Sequence, residues 1–223
     1  MAALNAGAVP RVPVGGRPGA LRPGFHLEPG MRVGLFGGSF NPAHDGHAHV
    51  AETALLRLGL DRVIWLVSPQ NPLKSSADMA PLAERMESAR NFARGPAMIV
   101  SDAESRIGSR YTLDTVRLLQ GRFPRVRFVW IMGTDNLASF HRWRGWVQLM
   151  EALPVAVVAR PGTLLYSRLA PAARRFAHAR LSSREGLMLP AERPPAWIYL
   201  RGPLNSASST ALRRSAAPAR AGG

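Results

Sequence analysis

Two kinds of apolar pattern alternate along this chain. The first is a short continuous run: Met31-Arg32-Val33-Gly34-Leu35-Phe36 is apolar and bounded by glycine, as expected of a strand. The second is helical: Val50, Ala54, Leu55 and Leu58 recur at i, i+4, i+5 and i+8, one face of an amphipathic helix. The alternation then repeats. Arg62–Val67 is a β-branched, apolar second strand, and Leu82, Arg85, Met86, Ala89 and Phe92 continue a helix that has Pro81 at its first turn. Ala97–Val100 is a third strand. Val116, Leu118 and Leu119 follow a helix start at or beside Thr112, with Asp114 in the first turn, where negative charge is favoured. Val126–Met132 and Pro154–Ala159 are the fourth and fifth strands, and Trp197–Leu200 a short sixth. Residues 163–195 have weak periodicity, consistent with one or two surface helices. Strands that alternate with helices predict an α/β fold: an open parallel sheet of order 3-2-1-4-5 plus the short sixth strand, with helices on both faces.

The ends of the chain differ in character. Residues 1–30 are rich in Pro, Gly, Ala and Arg, with Glu28 the only acid and no periodicity, so a disordered extension is expected there. Pro10, Arg11 and Pro13 interrupt any secretory core of the required roughly 7–15 apolar residues. An Arg-rich, acid-poor start resembles a transit peptide but lacks amphipathic helix signals, and Met31 serves equally well as a functional start. Residues 215–223 read as a disordered tail, which leaves 31–214 as a single domain.

Composition narrows the function. A length of 223 residues with 46% hydrophobic content suits one α/β domain. No apolar run approaches the roughly 18 residues of a membrane span, so no membrane role is expected. Cysteine is absent, which excludes disulfides and thiol chemistry and fits a cytoplasmic setting. The net charge of +15 suggests polyanionic partners. However, the 29 basic residues include a single lysine, Lys74, and this arginine, alanine and proline bias reads as composition more than function. Where arginine replaces lysine nearly everywhere, the remaining lysine is expected to do what a planar fork cannot: place a compact ammonium at a crowded phosphate.

The candidate chemistry gathers at the turn from the first strand into the first helix, Gly37-Gly38-Ser39-Phe40-Asn41-Pro42-Ala43-His44-Asp45-Gly46-His47. Adjacent glycines let backbone approach a ligand closely, and the helix N-terminus offers free N–H groups to an anion. With Gly46 between them, His44 on the loop and His47 opening the helix can point at the same phosphate. Neither G-x-x-x-x-G-K-[ST] nor G-x-G-x-x-G occurs at this turn. A zinc site is disfavoured because the pair has no cysteine and no third well-spaced ligand. The fourth strand exits at Gly133-Thr134-Asp135, and in the expected sheet order that exit faces the first turn across the crevice where ligands bind. Asp135 can hydrogen-bond a ribose hydroxyl or cap a helix. The aromatic and basic run Phe140–Trp146 can stack nucleic-acid bases or pack its tryptophans inward; Trp146 is read as core.

GGSFNPAHDGH resembles the G-G-[ST]-F-[DN]-P-x-H-x-G-H signature of the nucleotidylyltransferase superfamily, most closely its nicotinate-nucleotide adenylyltransferases. Five further matches follow in order. Lys74 lies in a proline-punctuated loop after the second strand, and Tyr111-Thr112 fall in S-Y-T-x-D-T, with Arg110 in place of its serine. Gly133-Thr134-Asp135 match G-x-D, with Trp143 eight residues on. Arg160 matches V-x-x-R-P-G, and Ser208-Ser209-Thr210 with Arg213 match I-S-S-T-x-[IL]-R, with Ala207 in place of isoleucine. The resemblance implies a Rossmann-like fold and AMP transfer from ATP to nicotinate mononucleotide, releasing pyrophosphate, with Mg2+ as the ATP counter-ion. It implies catalytic roles for His44, His47 and Lys74. It places ATP at Gly37, Gly38, Ser39, Phe40, Gly133, Asp135, Arg160, Ser208, Ser209, Thr210 and Arg213, and the mononucleotide at Ser39, Tyr111, Thr112, Asp135 and Trp143. No metal-ligating residues are implied. Rival readings are transfer to nicotinamide mononucleotide or phosphopantetheine, and, from another class, a basic nucleic-acid-binding protein, which would leave the two-histidine turn unexplained. A homo-oligomer stays open.

Overall fold

A computed structural model describes residues 24–69, 79–109, 111–160 and 169–201. Its strands are β1 (Arg32–Gly38), β2 (Arg62–Val67), β3 (Met98–Ser101), β4 (Arg127–Gly133), β5 (Val155–Val158), β6 (Arg180–Leu181) and β7 (Trp197–Leu200). They form one parallel sheet of order β3-β2-β1-β4-β5-β7-β6. The expected order of the first five strands is found, and Trp197–Leu200 pairs beside β5 as the next strand. The two-residue β6, at the edge beyond it, was not expected: it lies in the stretch read as surface helices. Among its described residues that stretch contains a short α-helix, Pro171–Arg175, and 3-10 turns at Ala177–Ala179 and Ser183–Ala191.

Past their opening arginines the central strands β1, β2 and β4 are apolar because both faces are covered. Alternate residues serve opposite cores. Leu35, Ile64, Leu66, Trp130, Met132 and Val157 enter one cluster, while Phe36, Trp65, Val129, Ile131 and Val158 enter the other. Helix α1 (Asp45–Arg57) closes the second face with Val50, Ala51 and Ala54, and α2 (Leu82–Phe92) adds Met86 and Ala89. The short α3 (Ala103–Arg106), α4 (Thr112–Arg122) and α6 (Trp146–Ala152) cover the first face with Ala103, Val116, Leu119, Leu149 and Met150; α5 (Thr134–Ser139) follows directly on β4.

Residues 24–30, assigned to the disordered extension, are packed onto the domain. Leu27 is buried, the Phe25 ring stacks on Phe123 at 6.1 Å, and Gly30 N–H donates to the Arg125 carbonyl. One aromatic and one aliphatic anchor, Phe25 and Leu27, outweigh the local Pro/Gly composition there. Among the described residues, no helix is long and apolar enough to cross a membrane.

Candidate active site

All strands run the same way, so their carboxyl ends, and the loops that leave them, share one edge of the sheet. The exit of β1 is shaped by side chains from beneath. A Cβ on Gly37 would collide with the six-membered ring of the buried Trp130, and one on Gly38 would lie 3.1 Å from Phe40. Glycine is thus required here by the aromatic floor. Phe40 adopts φ +46, an uncommon value for a bulky residue, and buries its ring against Phe36 and Trp65.

The first helix does not open at His47. It begins at Asp45, and His44 is its N-cap: extended backbone, with Nδ1 accepting the Gly46 N–H at 3.0 Å. This is the capping geometry of Ser or Asp, supplied by an imidazole. Because Nδ1 is an acceptor, a neutral His44 carries its proton on Nε2. Nε2 is buried and has no hydrogen-bond partner among the described residues. Burial, and then the Arg160 guanidinium, push the His44 pKa down to about 4, against a smaller upward pull from Asp135 and Asp45. At neutral pH the ring is therefore an uncharged donor held in place. The sign for stability follows: as pH falls from 6.5 towards about 4, the unfolded chain takes up a proton that the folded one refuses, so stability is lost. His47, one turn into the helix, lies with its ring centroid 3.9 Å from that of His44 and 5.0 Å from Phe40.

On the neighbouring strand, β4 ends at Gly133, whose absent side chain leaves room for Asp135 and Arg160. Asp135 Oδ2 accepts from Arg160 Nη1 at 3.0 Å, and the Arg160 N–H donates to Thr134 Oγ1 at 2.9 Å. Asp135 does not cap a helix: Gly133 is the N-cap of α5 and no side chain bonds there. β1, β4 and β5 are neighbours in the sheet, so their exits adjoin, and the charges of Arg160 and Asp135 both act on His44.

The residues expected at the mononucleotide also converge. Tyr111 is the N-cap residue of α4, with Thr112 next. Trp143 is half-buried, edge-on to Trp130 at 6.2 Å and to Phe140 at 5.3 Å. The Arg144 guanidinium lies 4.4 Å over the Tyr111 ring, so the two segments meet. Trp146 packs on Phe140 and Phe176 at the margin of the core. Lys74, Arg110, Ser208, Ser209, Thr210 and Arg213 lie outside the described residues.

Three residues were missed from sequence. Arg144 was passed over as part of a basic run, and Arg85 as an ordinary helix position, although an arginine inside the apolar stripe Leu82-Met86-Ala89 is itself a signal. Glu104 is the third: burial raises its carboxyl to about 7. Because the folded pKa lies above the ordinary 4.5, stability is full below that value and is lost as pH rises through about 7. Glu104→Gln removes the penalty. Its Tm gain over the parent is expected to be about 5 °C near pH 8 and close to zero near pH 4.5, read by calorimetry at both values. An equal difference at both would contradict it.

The model of the cytidylyltransferase-like family matches residues 35–215. A "Probable nicotinate-nucleotide adenylyltransferase" of Caulobacter sp. (strain K31) is 68% identical over 183 residues, covering 82% of this chain and 97% of that one. One of the same description from Parvibaculum lavamentivorans is 51% identical, covering 84% and 93%. Among solved structures, Plasmodium falciparum nicotinic acid mononucleotide adenylyltransferase complexed with NaAD aligns with a TM-score of 0.62 at 14% identity, covering 82% of this chain and 83% of that one. At that identity the likeness speaks for the fold.

Proposed function

We propose that this chain, which belongs to the cytidylyltransferase-like family, is a nicotinate-nucleotide adenylyltransferase. It transfers AMP from ATP to nicotinate mononucleotide in a step of NAD biosynthesis. The observation that carries the site assignment is His44: a buried imidazole whose tautomer is fixed by its own helix cap, with an Nε2–H donor left over at a strand exit.

The acceptor phosphate is itself the nucleophile. One of its oxygens attacks the α-phosphorus of ATP in line, the new P–O bond forms as the bond to the bridging β-oxygen breaks, and pyrophosphate leaves with the electron pair. Catalysis is then positioning and charge stabilisation. His44 Nε2–H and His47 hold the phosphates, with Lys74 and Arg213 on the triphosphate. Mg2+ as the ATP counter-ion would lend positive charge to the phosphates. Among the described residues no cluster of three or more His, Cys, Asp or Glu side chains could hold a metal. The ribose and adenine lie along Asp135 and Arg160.

The nicotinate ring stacks at Trp143, beside Tyr111. Arg144, stacked on Tyr111, puts positive charge where the acid and amide forms of the pyridine differ. Arg144→Met is expected to lower the preference for nicotinate over nicotinamide mononucleotide about tenfold, roughly the worth of one partly exposed charge contact. The ratio of kcat/KM values for the two acceptors reads this, and an unchanged ratio removes Arg144 from recognition. The reaction itself is tested by pyrophosphate release with ATP and magnesium on nicotinate mononucleotide, nicotinamide mononucleotide and phosphopantetheine in parallel. Release far ahead with the first supports the proposal. Release with another acceptor overturns the roles of Tyr111, Thr112 and Trp143, and no release with any overturns the reaction.

A further inference from the structure

We propose that Arg85 is a positioning residue for the phosphate-facing turn, setting the His47 imidazole through the Ser39 carbonyl and the Phe40 ring. Its kinetic consequence rests on the adenylyltransferase reading; its structural consequence does not.

Arg85 is only 2% exposed. Its guanidinium donates to four backbone carbonyls on three separate stretches: Ser39 at the β1 exit (2.8 Å), Ser68 and Pro69 at the β2 exit (2.7 and 3.0 Å), and Ala80 on the approach to α2 (2.9 Å). One nitrogen, Nη1, bridges the first two exits. Only a planar fork with several fixed N–H directions can do this; an ammonium cannot span the set. A buried cation satisfied by carbonyl dipoles is a costly fixture, which suits a place where geometry must be held.

The contacts then lead to the site. The Ser39 carbonyl belongs to the peptide unit that enters Phe40, so fixing its direction restrains the φ of +46 that Phe40 would otherwise leave. That backbone turn aims the 1%-exposed Phe40 ring at His47, edge-on with centroids 5.0 Å apart, and His47 in turn lies against His44. Helix α2 and the segment leading into it steady the rest of the turn. Ser88 Oγ accepts the Ala43 N–H at 3.0 Å, and Asn41 Oδ1 accepts the Ala80 N–H at 3.2 Å.

The test compares the full-length parent with Arg85→Lys and Phe40→Leu, by kinetics and by side-chain 15N NMR of His44 and His47. In R85K, the His47 resonances are expected to shift and kcat to fall about 10- to 100-fold, with KM for ATP within about threefold, because a displacement near an ångström is enough for such a loss. F40L, which keeps every Arg85 bond, is expected to move the same resonances, and R85K/F40L to lose less than the product of the single losses. Unmoved His47 resonances with kcat within about twofold would make Arg85 a stability residue and overturn the proposal, whatever the Tm. Should R85K fail to fold, unmoved His47 resonances in F40L overturn it equally. A parent with no turnover would refute the reaction while the NMR comparison still decides Arg85.

Discussion

His47→Ala is expected to lower kcat about 10²- to 10³-fold while KM for ATP changes by less than about threefold, the loss seen when one preorganised donor to developing charge is removed. The position makes the experiment clean. His47 is inside α1, not at its cap, so alanine keeps the helix and slightly favours it. His44→Ala is less informative, because it also deletes the cap bond to the Gly46 N–H, worth about 0.5–2 kcal/mol. Steady-state kinetics with a parallel Tm measurement separates the two. A kcat near that of the parent would remove His47 from the transition state.

Gly37→Ala carries the second large effect. The added Cβ meets the Trp130 ring, which is 1% exposed and packed in the sheet core. Overpacking of this kind costs about 1–3 kcal/mol, so Tm is expected to fall by about 3–10 °C. Trp130 also supports Trp143 edge-on, so KM for the pyridine mononucleotide should rise more than KM for ATP. Trp130→Phe in the same chain relieves the clash, and the double variant should be more stable than G37A alone. Additive losses would show that the two side chains do not meet.

These residues also show what the sequence made legible. The β1–α1 turn was readable because its signal is local: two glycines at a strand exit, two histidines around a glycine, and helical spacing immediately after. The start of α1 was misplaced because imidazole is not among the usual caps, and only the fold shows that His44 Nδ1 meets the Gly46 N–H. At Gly37 the sequence shows a place where backbone can approach a ligand, and the fold adds a second demand that it does not show: an added Cβ would meet Trp130 of the neighbouring strand. The edge strand β6 was hidden for a related reason. Two residues have no period, and only pairing with β7 makes them a strand. Arg85 was legible as an anomaly, a cation in an apolar stripe, but its four carbonyl partners come from loops that only the folded sheet brings together. Residues 24–30 show the opposite error, since composition outvoted one aromatic and one aliphatic anchor, Phe25 and Leu27.

The central claim is direct, in-line AMP transfer to nicotinate mononucleotide at this turn, with no covalent protein intermediate. It is tested most directly with ATP made chiral at the α-phosphorus by a single sulfur, followed by analysis of the dinucleotide formed. One displacement inverts the phosphorus, so inverted nicotinate adenine dinucleotide is the expected product. Retention would mean two displacements through an adenylylated side chain, with His44 and His47 the first to examine, and would contradict the account.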